Sequence, residues 1–65
     1  MRIWLNGQAQ DVEADTVADV VTRLTTATKG VAVAVDDMVV PRSQWARTEL
    51  RDGARVEVLV ATQGG

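Results

Sequence analysis

Arg55-Val56-Glu57-Val58-Leu59-Val60 runs without a turn residue into Ala61-Thr62-Gln63-Gly64-Gly65. Val56, Val58 and Val60 alternate with Arg55, Glu57 and Leu59, which is the pattern of a strand with one apolar face. The strand is followed by a short tail ending in two glycines. Such a tail presents its carboxylate without side chains, on a thin and flexible segment able to enter a narrow site on another protein. Glycine makes up about 7% of average usage, so a terminal pair arises by chance at about 0.5%. A frayed chain end is the competing reading of the pair alone, and the rest of the sequence has to decide.

Working back from this strand, the chain opens with another. Ile3 and Leu5 share one face and Trp4 takes the other. Asn6-Gly7 is a strong hairpin signal, because both positions accept positive φ. Gln8 to Glu13 reads as the returning strand, with Val12 pointing inward. At Thr16 the period changes. Thr16 can cap a helix and Asp19 sits at the reciprocal capping-box position. Val17, Val20, Val21 and Leu24 then fall on one helical face. Asp19 and Arg23 are spaced to pair on the solvent side. Thr25-Thr26-Ala27-Thr28 is weakly helical, and Lys29-Gly30 is the expected stop. Val31-Ala32-Val33-Ala34-Val35 alternates large with small as a strand. Asp36-Asp37 is a turn, and Met38-Val39-Val40 is a short strand closed by Pro41, which suits a sheet edge. Ser43 to Arg47 is read as one helical turn carrying Trp45, and Asp52-Gly53 as a further turn.

The order ββ-α-ββ-turn-β needs one helix laid over one small mixed sheet, because a two-layer stack buries both apolar faces. Pairing the first and last strands in parallel at the sheet centre gives an α+β fold of the β-grasp, or ubiquitin-like, type. The expected division is a domain over 1–60 and a flexible tail over 61–65. Ile3, Leu5, Val31, Val33, Val35, Val56, Val58 and Val60 would then lie under the helix. Trp4, Ala32, Ala34 and Leu59 would lie on the opposite face. A shallow apolar patch of that kind, holding a tryptophan, marks a docking surface. Trp45, after its turn, reads instead as a core residue closing the open end of the domain.

Composition narrows the function. Sixty-five residues make one domain, and at this length a single core rarely supplies more than about 3–5 kcal/mol, leaving little room for a deep pocket. The net charge of -2 argues against a nucleic-acid partner. No apolar run reaches bilayer-spanning length, and the N-terminus lacks a secretory leader, so a cytoplasmic protein is expected. The sequence contains no Cys and no His. That removes the thiolate nucleophile, the commonest general base and the usual soft metal ligands. Ser43, the single serine, has no histidine to activate it. Asp11, Glu13 and Asp15 read as a solvated acidic loop rather than a metal site. Arg42, Arg47, Arg51 and Arg55 read as a solvated rim with weak ion pairs. A chain so equipped is expected to be no enzyme and to bind no cofactor itself.

Several segments together resemble the ThiS family of sulfur carriers in thiamine biosynthesis. They are Ile3-Trp4-Leu5-Asn6-Gly7, Val31-Ala32-Val33-Ala34-Val35, Val39-Val40-Pro41-Arg42-Ser43-Gln44-Trp45, Leu50 to Val58, and Gln63-Gly64-Gly65. The Val-Val-Pro-Arg-Ser-Gln-Trp block is the most specific of them. Asp36 and Ala54 depart from the family's usual Asn and Asp at turn positions. The resemblance implies that an adenylating enzyme, using ATP and Mg, activates the Gly65 carboxylate. A sulfur donor such as a cysteine desulfurase would then supply the atom that makes a C-terminal thiocarboxylate, and thiazole synthase would receive it. Two other uses of the same tail stay open at this point. One is a molybdopterin-type sulfur carrier, and the other is a ubiquitin-like modifier joined to lysines.

Overall fold

The computed structural model describes residues 1–27 and 29–61. Thr28, Thr62, Gln63, Gly64 and Gly65 lie outside the described residues, so the expectations placed on the tail are not addressed by the fold. The elements are β1 (Arg2–Leu5), β2 (Gln8–Asp11), α1 (Val17–Leu24), β3 (Val31–Val35), β4 (Met38–Val39), a 3-10 turn (Arg42–Arg47) and β5 (Arg55–Val60). They form one five-stranded sheet in the order β2-β1-β5-β3-β4. β1 and β5 run parallel at its centre and every other pairing is antiparallel. This is the β-grasp architecture, with α1 as the one α-helix among the described residues.

Each hairpin is made by the residues that its turn demands. Asn6 and Gly7 have φ of 50° and 83°, and Asp36 and Asp37 have 49° and 71°. Two successive left-handed residues match the twist of the flanking strands. Asp36 also ties its turn to the sheet, because its carboxylate accepts the Arg55 N–H at 2.9 Å. β2 is shorter than the expected Gln8 to Glu13. The ladder is closed beyond it by Met1, whose ammonium donates to the Val12 carbonyl at 2.9 Å while Val12 N–H donates back at 2.8 Å. Val12 packs against the core from there.

α1 begins as the sequence predicts. Thr16 is the N-cap, and the capping box with Asp19 is complete. The helix ends earlier than expected, at Leu24, with Thr25 already extended at φ −153°. The β-branched Thr25 and Thr26 lose χ1 freedom in a helix, so the chain leaves it well before Lys29-Gly30. Two inward expectations are corrected as a result. Leu24, the last helical residue, is 45% exposed, and Val60 is 43% exposed. Eight helical residues span about 12 Å at about 1.5 Å each, which covers only about four strand residues. Val56 and Val58 are under that cover, and Val60 overhangs it.

The core is built from Ile3, Val17, Val20, Val33, Val56 and their neighbours. Trp45 closes one end of it, 8% exposed, with its indole N–H donating to the Val40 carbonyl at 2.9 Å. Ala14, Leu50 and Ala54 are also buried, although the sequence pattern did not single them out. They sit in connections whose backbones pair with one another. Leu50 N–H donates to the Asp15 carbonyl and Val17 N–H to Thr48.

Asp19 is engaged by the cap rather than by Arg23. Its carboxylate accepts the N–H groups of Asp15 at 3.0 Å and Thr16 at 3.1 Å. Those two backbone donors hold it below the ordinary aspartate range. Hydrogen bonding from Arg2 does the same for Asp11. A carboxylate with a depressed folded pKa stabilises the fold in full above its unfolded value, near pH 4. That contribution is lost as pH falls through the lower folded value. The melting temperature is therefore expected to drop as the solution is acidified below about pH 4. Asp19→Asn should flatten part of the drop in a calorimetric pH series. An unchanged slope in that variant would place the acid sensitivity elsewhere.

Candidate functional site

The part of the molecule that addresses the tail is the end of β5. Inward-facing Val56 and Val58 are buried, which turns Arg55, Glu57 and Leu59 outward on the face opposite α1. Trp4 stands beside Arg55, Ala34 beside Glu57, and Ala32 beside Leu59. Trp4 is 48% exposed and Leu59 69%. Ala32 is exposed and Ala34 half-buried. The four residues expected on this face are thus all on it, but they do not form one unbroken patch. Trp4 aligns with Arg55, so Leu59 lies about 13 Å farther along the sheet, at about 3.3 Å per residue, with Glu57 between. Leu59 with Ala32 makes the apolar area next to the tail. Trp4 makes a separate anchor near the start of β5, where Arg55 is paired with Asp37 at 2.8 Å. Val39, 77% exposed, extends the apolar surface past Ala34 on β4.

Two further residues hold the end of β5, and the sequence reading gave both of them only turn or stop roles. On one side, Gly30 accepts the Ala61 N–H at 2.7 Å through its carbonyl. Its φ is +70°, and a Cβ there would meet the Ala61 Cβ and carbonyl oxygen at 3.3 Å. On the other side, Asn6 engages Val58 twice, accepting its N–H at 2.8 Å and donating to its carbonyl at 3.3 Å. The signal that could have exposed Asn6 is its type. A side-chain amide carries the same donor and acceptor as a peptide, and the hairpin places it next to the last strand.

Among the described residues, no group of three or more acidic side chains is arranged to hold a metal ion. A cleft of about 380 Å³ between α1 and the 3-10 turn is lined by Ala18, Val21, Thr22, Arg42 and Trp45 among others. With neither Cys nor His in the sequence, it has no nucleophile with a base beside it. The Arg42 guanidinium lies 5.8 Å from the Trp45 ring centre, a cation–π contact at the cleft edge. No described helix is long and apolar enough to cross a membrane.

Comparison with known proteins fits this arrangement. The model of the ThiS family matches residues 3–65. The sulfur carrier protein ThiS of Thermus thermophilus is 35% identical over 63 residues, covering 97% of this chain and 98% of its own length. The sulfur carrier protein ThiS of Escherichia coli is 33% identical over 66 residues and is covered completely, as is this chain. The crystal structure of the thiamine biosynthesis protein ThiS from Geobacter metallireducens superposes with a TM-score of 0.78 at 29% identity, over the whole of both chains. The fold and the family match over residues 3–65 agree: the chain belongs to the ThiS family.

Proposed function

We propose that this protein carries sulfur on the carboxyl group of Gly65 for thiazole formation in thiamine biosynthesis. The observation that supports the reading best is the family match extending through residue 65, on a fold whose central strand leads into the tail. The chemistry is divided between the carrier and its partners. A carboxylate oxygen of Gly65 attacks the α-phosphorus of ATP on an adenylating enzyme, and pyrophosphate leaves with the β and γ phosphates. Mg and cationic groups of that enzyme neutralise the charge that develops. Sulfur at the sulfide level, released from the persulfide of a donor such as a cysteine desulfurase by a thiol reductant, then attacks the acyl carbon and expels AMP. The terminus becomes a thiocarboxylate, whose sulfur is a nucleophile that needs no cysteine on the carrier. Thiazole synthase receives that sulfur. ATP and Mg are used by the partner, and the carrier binds no cofactor. A cytoplasmic setting, without membrane or nucleic acid, belongs to the same reading. The division into a domain over 1–60 and a tail over 61–65 does too.

Docking on the adenylating enzyme is assigned to the outer sheet face, through Trp4 and through Leu59 with Ala32 and Ala34. Trp4→Ala should raise the KM for the carrier about 30-fold, the equivalent of about 2 kcal/mol at an interface anchor. Because Trp4 is half exposed, the melting temperature should stay close to that of the parent. If Trp4→Ala instead unfolds the domain and the folded fraction keeps its KM, this face is not the docking surface. The pathway is tested by reconstitution. Carrier, adenylating enzyme, sulfur donor and thiazole synthase, with Mg-ATP, a thiol reductant and the synthase's carbon and nitrogen substrates, should together yield thiazole, and omission of the carrier should abolish it. Equal yield without the carrier would sink the proposal.

A further inference from the structure

β1 and β5 are parallel neighbours only over Trp4 with Arg55 and Leu5 with Val56. After Leu5 the chain turns away at Asn6-Gly7, while β5 continues to Val60. β5 therefore loses its strand partner on this side before its own end. Backbone pairing reaches only as far as the Asn6 N–H, which donates to the Val56 carbonyl at 2.9 Å. The next residue of β5 turned to this side is Val58, and the Asn6 side chain meets both of its backbone groups. A carboxamide has the donor and acceptor of a peptide unit. It supplies the two bonds that a continued β1 would have made. On the far side the pairing persists to the end, through Val31 with Val60 and then Gly30 with Ala61. Val58 is thus bonded by Asn6 on one side and lies in register with Val33 on the other, and Gly30 fixes Ala61 where the described chain ends.

We infer that Asn6 is a positioning residue: its side-chain amide completes the sheet around Val58 and sets the direction in which the chain leaves β5 toward Gly65. The inference rests on the carrier reading, in which that direction decides where the carboxylate arrives. The turn alone does not require this side chain. Glycine satisfies the positive φ at position 6 without steric cost, and aspartate tolerates it. Only asparagine among the three offers both a donor and an acceptor to Val58. Aspartate keeps the acceptor for the Val58 N–H but sets a second oxygen against the Val58 carbonyl.

Asn6→Gly and Asn6→Asp separate the two roles. Neither variant alters a docking side chain, and Trp4 stands apart from the end of β5, so the KM of the adenylating enzyme for the carrier should change less than kcat does. A reacting group misplaced by about 1 Å can cost about 100-fold in rate. The kcat for pyrophosphate exchange should therefore fall about 10-fold to 100-fold in Asn6→Gly, and less in Asn6→Asp. A second readout needs no enzyme. Backbone ¹⁵N order parameters at Val60 and Ala61 should drop from the rigid range near about 0.85 to below about 0.6 in Asn6→Gly. Reduced thermal stability with unchanged kcat per folded molecule and unchanged order at Val60 and Ala61 would overturn the inference and leave Asn6 a turn residue. If the parent protein itself is not adenylated, the carrier reading fails. The relaxation data would then decide by themselves whether Asn6 orders the end of β5.

Discussion

Gly64→Val is expected to abolish adenylation while leaving the fold intact. A β-branched side chain is introduced one residue from the carboxylate, where the backbone has to approach the nucleotide closely. Displacing the carboxylate by about 1 Å already costs about 100-fold, so pyrophosphate exchange should fall by at least that factor. Among the described residues the core closes within 3–58, and a glycine has no side chain to add to a core. The melting temperature of Gly64→Val, and of a chain lacking residues 62–65, should match that of the parent. Normal exchange by the valine variant would show that the terminus does not enter a narrow site. A large loss of stability would show that the tail belongs to the domain.

Trp45→Ala is expected to do the reverse, removing the fold rather than the chemistry. Trp45 is 8% exposed and closes the core between α1 and the 3-10 turn. Truncating a buried tryptophan costs about 3–5 kcal/mol, which meets or exceeds what a core of this length supplies, rarely more than about 3–5 kcal/mol. Most molecules should be unfolded at 25 °C, seen as loss of the far-ultraviolet circular dichroism and of the cooperative urea transition. Trp45→Phe keeps the ring and loses the indole bond to Val40, at a cost of about 1 kcal/mol, and should remain folded. A cooperative, nearly unshifted transition in Trp45→Ala would mean that the core closes without the indole. The contrast with Trp4→Ala is sharp because the two tryptophans differ in burial, 48% exposed against 8%.

The architecture was legible because local signals and topology agreed. Asn6-Gly7 gave one hairpin, Thr16 with Asp19 gave the helix start, and the alternation in β5 gave the strand that must lie centrally. Extents were less legible. Leu24 and Val60 carry the right period, but periodicity does not show how far a short helix covers a sheet. Ala14, Leu50 and Ala54 are buried by pairings between distant connections, which no local pattern reports. On the outer face, alternation identified Trp4, Ala32, Ala34 and Leu59. It could not give the register between β1 and β5, which separates Trp4 from Leu59 and sets Glu57 between them. Asn6 reads as a turn residue and Gly30 as a helix stop because their second role is visible only once β5 lies beside them.

The central claim is that Gly65 carries sulfur, and intact-mass spectrometry tests it most directly. The protein is incubated with its adenylating enzyme, Mg-ATP and a sulfur donor, and then measured whole and as its C-terminal peptide. The account predicts a species heavier by the difference between one sulfur and one oxygen, with the gain localised to Gly65. It predicts no such species when ATP is withheld. An unshifted mass with the adenylating enzyme active, or a ladder of lysine conjugates in place of the sulfur species, would contradict it.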